Sequence, residues 1–223
     1  MRDFCAASPA AESRRDVMTP TRPLQLFLIR HGATEWTAAG RYQGRHDTPL
    51  SAVGRAEAER IAARLRDADI GLVVASPLAR ARDTAAPLAA ATGAPLRFDE
   101  RLIELDYGQW EGLTQPQVKA EWPKALCDWK QDMASARPPG GETLDELQAR
   151  VEDFLRGLMP PARGAVAIVA HAWVLRLAIL TLRGEDRARV REILVHPASV
   201  HSARLVVSPP APCPGEISPQ ALS

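Results

Sequence analysis

The sequence predicts an α/β fold, a three-layer α/β/α sandwich with a mainly parallel sheet and a small, mostly helical lid insertion. Three observations carry this. Short apolar runs recur at residues 24–30, 72–75 and 165–170, and segments with helix caps separate them. Between 99 and 141 the alternation is interrupted by an aromatic, proline-bearing stretch with no clear strand. Strands separated by helices imply parallel pairing with helices on both sheet faces.

The elements follow in order. Residues 24–30 (LQLFLIR) suit a buried strand. Ser51 can cap a helix running to about residue 66, with Ala52, Ala56, Ile61 and Leu65 as its apolar stripe. A second strand at 72–75 leads into Ser76-Pro77, which reads as an N-cap with proline at the first helical position. That helix runs to about Thr92, where Gly93 ends it. The interval 99–141 carries Tyr107, Trp110, Trp122 and Trp129, and such an insertion is a candidate lid over a site. The spacing of Trp122 and Trp129 suits packing within it. Thr143 and Glu146 form a capping box that opens a helix to about Gly157. A strand at 165–170, a helix from about Trp173 and a last strand at 203–207 complete the domain.

Residues 23–207 therefore read as one domain, flanked by flexible tails at 1–22 and 208–223, the second rich in proline. A chain that is 46% hydrophobic and 25% charged can bury a core. Its formal net charge of +1 offers no long-range attraction to nucleic acid or an anionic membrane, so neither is expected as a partner. Cys5, Cys127 and Cys213 form neither a disulfide framework nor a zinc spacing, which fits a reducing cytoplasm. Residues 164–182 are strongly apolar, but His171 and Arg176 near the middle make a membrane span costly. The N-terminal segment has no apolar signal-peptide core, and Met18 is an alternative start. No residue pattern fixes the oligomeric state, and a homodimer is left open.

In open α/β sheets ligands bind beyond the carboxyl ends of the strands. Arg30-His31-Gly32 follows the first strand, and Gly32 would let the backbone pass close to a ligand or take a positive φ. An arginine beside a histidine suits anion binding together with a nucleophile or base, although a turn explains the triplet alone equally well. Arg80 falls in the first turn of the next helix, where the dipole already favours an anion. His171 closes the strand at 165–170. Three strand ends thus deliver cationic or potentially cationic groups that can hold a dianionic phosphate. Glu104 would add a carboxyl group from the lid, with Glu111 as its nearest rival. His46, His171, His196 and His201 show no metal-ligand spacing, so no metal or other cofactor is expected.

The segments LFLIRHGATEW (26–36), GRYQGRHDTPLSAVGRAEA (40–58), ASPLARARDTA (75–85), LIELDYGQWEGLT (102–114), PPGGETLDEL (138–147) and VAHAWVLR (169–176) resemble, in order and spacing, the histidine phosphatase or phosphoglycerate mutase-like superfamily. The resemblance implies that His31 is the nucleophile that becomes phosphohistidine. It implies that Arg30, Arg80 and His171 grip the phosphoryl oxygens, and that Glu104 is the general acid and then the base for water. It also places Thr34, Gln43 and Gly44 at the phosphate pocket. Where relatives commonly carry two glycines after the second histidine, this chain has Ala172-Trp173. Ala172 can still turn a backbone N–H to the phosphate if its φ is negative. Trp173 either walls the pocket or turns into the helix packing.

The Tyr-Gly-Gln-Trp-Glu-Gly-Leu-Thr block is most similar to the branch of α-ribazole-5′-phosphate and broad-specificity phosphatases, which implies hydrolysis of small-molecule phosphate esters. A cofactor-dependent phosphoglycerate mutase is the alternative. Mutases usually read Asn-Glu-Arg-His-Tyr-Gly around the acid, where this chain has Ile-Glu-Leu-Asp-Tyr-Gly. A non-catalytic binding module is the third reading.

Overall fold

The computed structural model describes residues 23–206. The two tails, Met18, Cys5 and Cys213, and residue 207 of the last expected strand, lie outside the described residues. The chain order is β1 (Leu24–Arg30), α1 (Glu35–Ala38), α2 (Ala52–Leu65), β2 (Ile70–Ala75), α3 (Ala79–Thr92), β3 (Leu96–Phe98), α4 (Gln115–Glu121), α5 (Pro123–Gln131), α6 (Leu144–Arg156), β4 (Ala165–Ala170), α7 (Ala172–Arg183) and β5 (Val200–Leu205). The architecture is the expected α/β sandwich on a mostly parallel sheet.

The sheet order is β3-β2-β4-β1-β5, with β5 antiparallel to β1 and the other pairings parallel. Every residue of β4 (AVAIVA) is buried, as a central strand covered on both faces requires. One face packs under α2 and α3, around Ile61, Leu65, Val73 and Leu88. The other packs against α6, α7 and the 99–141 segment, around Leu147, Val151, Leu175 and Trp110. This order brings three carboxyl ends side by side, because β4 lies between β2 and β1. Arg30 pairs with Ala170, and Ala75 with Val169. The residues just beyond, His31, Ser76 and His171, therefore crowd one edge at about 4.8 Å per strand.

Several elements differ from expectation, each for a local reason. Helix α3 begins at Ala79 with Leu78 as its N-cap, not at Ser76-Pro77. Asp47 Oδ1 accepts from Ala79 N at 2.6 Å and caps the helix from outside, while the Ser76 hydroxyl is committed to His171. The buried stripe of α2 is Gly54, Ala58, Ile61, Ala62 and Leu65, with Ala52 and Ala56 exposed. Gly54 sets that rotation: a Cβ there would lie 2.0 Å from Ala33 O, so only glycine lets α2 sit on the turn after β1. The last strand starts at Val200 rather than Ala203. His201 and Ser202 face Leu28 and Phe27 across the β1–β5 ladder, and this half-covered edge strand tolerates polar side chains that a buried one would not. The short β3 and α1 were not anticipated at all.

The 99–141 segment contains α4, α5 and two short 3-10 turns, Glu100–Leu102 and Gly108–Trp110. Leu105, Trp110, Val118, Leu126 and Trp129 are buried in the larger core, with Trp122 partly buried against it. Trp129 meets Trp110 and Trp173 edge-on, with ring centres 5.7 and 5.9 Å apart. The apolar stretch 164–182 divides between β4 and the twelve-residue α7. Among the described residues no helix is long and apolar enough to cross a membrane.

Candidate active site

A cavity of about 260 Å³ opens at the carboxyl ends of β1, β2 and β4. Arg30, His31, Gln43, Gly44, Arg80, Glu104 and Ala172 border it, all of them singled out in the sequence. Thr37, Arg41, Tyr42, Tyr107, Trp173 and Pro197 complete its wall.

His31 is 3% exposed, and its Nδ1 lies 2.8 Å from the Gly32 carbonyl oxygen. A carbonyl can only accept, so Nδ1 carries the proton and Nε2 holds the free lone pair of the neutral ring. Burial, together with the Arg30 and Arg80 charges, holds the His31 pKa well below the usual histidine range. The ring is therefore neutral and nucleophilic at neutral pH.

His171 is fully buried as the N-cap of α7, its ring centre 5.1 Å from that of His31. Burial and the nearby Arg80 also keep this ring neutral. Its Nε2 meets the Ser76 hydroxyl at 2.8 Å. Ser76 Oγ also accepts from Leu78 N at 3.4 Å, and among the described residues His171 Nε2 is the acceptor its own proton can reach. A buried hydroxyl donor is costly to leave unmade. Ser76 therefore donates, Nε2 accepts, and the His171 proton resides on Nδ1, which has no partner among the described residues.

The two arginines are held by carbonyls rather than carboxylates. Arg80, fully buried, donates from Nη1 to His46 O and from Nη2 to Gly44 O, each at 2.7 Å. Arg30 donates from Nη1 to Val195 O at 2.7 Å. The Nε of each is buried with no partner among the described residues. Burial lowers both pKa values, that of Arg80 to about 10, so both remain cationic at neutral pH. Two fixed cations side by side are what a multi-oxygen anion in the cavity would balance.

Glu104 is 7% exposed, and its carboxylate accepts from Trp173 N, the second residue of α7, at 3.2 Å. Glu111 stands elsewhere: it accepts from the backbone N–H of Arg45, His46 and Tyr107 and does not border the cavity. Those bonds fold the 43–46 loop over Arg80. Gly44 is required there because its φ is +50° and a Cβ would lie 1.9 Å from Glu111 Oε1.

Three expected site residues do not border the cavity: His171, fully buried beside His31, and Gly32 and Thr34, which lie behind the wall. The Gly32 N–H is occupied by Thr84 Oγ1 at 3.0 Å, its φ is not positive, and a Cβ on it would meet Gly54 O at 2.5 Å. Its smallness thus serves the contact with α2 and not a ligand. Thr34 is fully buried, and its Oγ1 accepts from Gln43 Nε2 at 2.8 Å. It orients Gln43, which does border the cavity. Ala172 has a negative φ, since among the described non-glycine residues only Ala198 is positive. Its N–H is one of the free donors at the start of α7. Trp173 both walls the cavity and packs: its indole N–H donates to Tyr107 OH, and Arg176 lies 4.8 Å over its ring.

Sequence reading passes over Ser76, Arg41, Tyr42 and Pro197. Ser76 stood in a motif explained as a helix cap, Arg41 and Tyr42 belong to the GRYQG run, and Pro197 carries no signal.

The chain is 36% identical over 179 residues to the Salmonella choleraesuis (strain SC-B67) protein named "Probable phosphoglycerate mutase GpmB", covering 75% of this chain and 81% of that one. Among solved structures it is similar to the alpha-ribazole phosphatase from Shigella flexneri, with a TM-score of 0.75, 28% identity, and 83% and 96% of the two chains covered. It is also similar to a mycobacterial glucosyl-3-phosphoglycerate phosphatase solved with VO3, with a TM-score of 0.70, 33% identity, and 80% and 90% covered. Residues 26–206 match the family description of the histidine phosphatase superfamily (branch 1), and the chain belongs to that superfamily.

Proposed function

We propose that this protein is a metal-independent phosphomonoesterase that hydrolyses small-molecule phosphate esters through a phosphohistidine at His31. The observation that carries the reading is the His31 ring: neutral, proton on Nδ1, lone pair on Nε2, in one cavity with Arg30, Arg80 and Glu104.

In the first step His31 Nε2 attacks phosphorus and the bond to the ester oxygen breaks. Glu104, entering as the carboxylic acid, gives its proton to the departing oxygen. Arg30, Arg80, His171 Nδ1–H, the Gln43 amide and the free N–H of Ala172 bind the equatorial oxygens, whose charge the two arginines balance. In the second step the Glu104 carboxylate takes a proton from water, which attacks phosphorus. The N–P bond then breaks, leaving inorganic phosphate and a neutral His31. The protein supplies both the nucleophile and the positive charge, so the scheme calls for no metal.

α-Ribazole-5′-phosphate is a substrate suggested by the name of the Shigella relative, and a range of phosphometabolites is the broader class that the sequence resemblance implies. Phosphoglycerate mutase activity is the second reading, supported by the name of the Salmonella relative. Against it, Leu105 and Asp106 follow Glu104 where mutases usually carry an arginine for the carboxylate.

Incubation with 3-phosphoglycerate plus 2,3-bisphosphoglycerate, and separately with p-nitrophenyl phosphate and α-ribazole-5′-phosphate, separates the readings. Release of phosphate without isomerisation of phosphoglycerate is expected. Efficient isomerisation with little net phosphate release would overturn the phosphatase reading.

A further inference from the structure

Glu104 must meet the departing oxygen closely, yet it lies in a stretch without regular secondary structure between the 3-10 turns at 100–102 and 108–110. No helix or strand sets its position, and among the described residues its carboxylate accepts hydrogen bonds only from the backbone N–H groups of Leu105 and Trp173. The backbone around it, however, is tied down by two side chains, Arg150 of α6 and Glu142 just before that helix. Arg150 donates from Nη1 to Arg101 O at 2.7 Å and from Nη2 to Glu104 O at 3.0 Å. The same guanidinium makes a two-pronged pair with Glu142, Nε to Oε1 at 2.8 Å and Nη2 to Oε2 at 3.0 Å. Glu142 closes the other side: its Oε2 accepts from Asp106 N at 3.3 Å, and its own N–H donates to Asp106 O at 2.9 Å.

We propose that Arg150 is a positioning residue that, locked by Glu142, fixes the carbonyls of residues 101 and 104 and thereby the reach of the Glu104 carboxyl. The inference rests on the reading of Glu104 as proton donor. Arg150 touches neither the cavity nor the reacting atoms. Its side chain is 17% exposed and that of Glu142 9%, so both bonds are shielded from water. The fork geometry is essential, because one planar group spans two carbonyls and a carboxylate at once. Lysine, with a single ammonium, cannot hold all three.

The signature of lost positioning differs from that of lost stability. Misplacing a catalytic group by about 1 Å can cost a factor of about 10² in rate. A misplaced proton donor is felt only where the leaving group needs a proton. A glycerol phosphate leaves as a poor alkoxide, whereas p-nitrophenolate is stable without protonation. Loss of folded protein would lower both rates in equal measure.

The test is rapid-quench measurement of the rate of His31 phosphorylation from glycerol phosphate and from p-nitrophenyl phosphate. The proteins are the wild type, Arg150→Lys, Glu142→Gln, Glu104→Gln and the double variant Arg150→Lys/Glu104→Gln. Arg150→Lys is expected to lose about 10-fold to 100-fold on the alkyl ester and less than about 3-fold on the aryl ester. Glu142→Gln keeps the shape of the clamp and should show the same bias to a smaller degree. If Arg150→Lys does not fold, this variant decides the matter. In the Glu104→Gln background Arg150→Lys should add no further bias, since the two act through one proton. An unbiased loss or no loss in the clamp variants, with a biased loss in Glu104→Gln, overturns the positioning role and leaves the acid assignment standing. An unbiased loss in Glu104→Gln itself overturns the acid assignment and this inference with it.

Discussion

Ser76→Ala is the most informative single change, because it removes one oxygen and separates two roles. The hydroxyl is fully buried, touches His171 Nε2 at 2.8 Å and accepts weakly from Leu78 N. Alanine leaves that imidazole nitrogen buried without a partner, which costs about 1–3 kcal/mol. For a domain of this size the matching fall in Tm is about 2–12 °C. The catalytic effect has a separate origin. With Ser76 present the His171 proton is held on Nδ1; without it the ring can take either tautomer and swing. Losing a fixed donor to a developing oxyanion typically costs about 10²–10³ in kcat. Here the donor is disoriented rather than deleted, so a fall of about 10-fold to 100-fold in kcat/KM is expected. Two-bond ¹⁵N–¹H correlation spectra should show the His171 proton on Nδ1 in the wild type and a mixture of tautomers in the variant. Thermal melts and steady-state kinetics complete the assay. A wild-type proton found on Nε2, or a destabilised variant with unchanged kcat/KM, would refute the reasoning.

Three further outcomes are expected. His31→Ala should abolish phosphate release while the protein stays folded, and the wild type should carry acid-labile phosphate on His31 by mass spectrometry after quenching; label on a serine would contradict the scheme. Activity should survive exhaustive EDTA treatment and fall with vanadate, which can mimic a five-coordinate phosphoryl group beside His31; loss on chelation restored by zinc or magnesium would show the metal-free reading to be wrong. Stability should fall as the pH drops below about 6.5, because His31 and His171 bind protons readily when unfolded and poorly when buried. Each contributes about 1.36 kcal/mol per pH unit until its folded pKa is reached, so His31→Ala should flatten urea-denaturation stability against pH between 6.5 and 5, and an unchanged slope would count against the buried neutral ring.

How much of this was legible in the sequence depends on whether the cause was local. Helix ends set by a local cap were readable: Ser51 and Thr143 start α2 and α6 where their hydroxyls can reach N3, and Gly93, with its backbone at φ +66°, ends α3. The apolar runs of β1 and β4 were readable because a strand covered on both faces can hold little else. Elements governed by distant partners were not. Nothing near Ser76 in the chain says that the hydroxyl is claimed by a residue ninety-five positions away, so it read as a helix cap. Nothing near Gly32 reveals that Gly54 of α2 presses against it, so its smallness read as room for a ligand. The polar start of β5 was hidden because edge pairing to β1 tolerates His201 and Ser202.

The same distinction explains why the site residues stood out while their supports did not. A group that must meet phosphate has few chemical choices: a cation, an imidazole, a carboxyl. Its identity therefore shows through in any sequence. Its supports need only supply a donor or acceptor at the right point, and Ser76, Thr84 and Arg150 are residue types found on any surface. Their value lies in pairings across the sheet and between layers, which only the strand order creates. That order also sets the energetic character of the site. Packing β4 between β1 and β2 forces two histidines and two arginines into one buried corner, which lowers the pKa of all four. In a core selected for stability alone such a cluster is unfavourable, since each orphaned nitrogen costs about 1–3 kcal/mol. The surrounding structure tolerates it because Gly44, His46 and Val195 pin the arginines by their carbonyls, which fixes direction without cancelling charge. A carboxylate in any of those three places would have paired with the arginine it held and cancelled its charge.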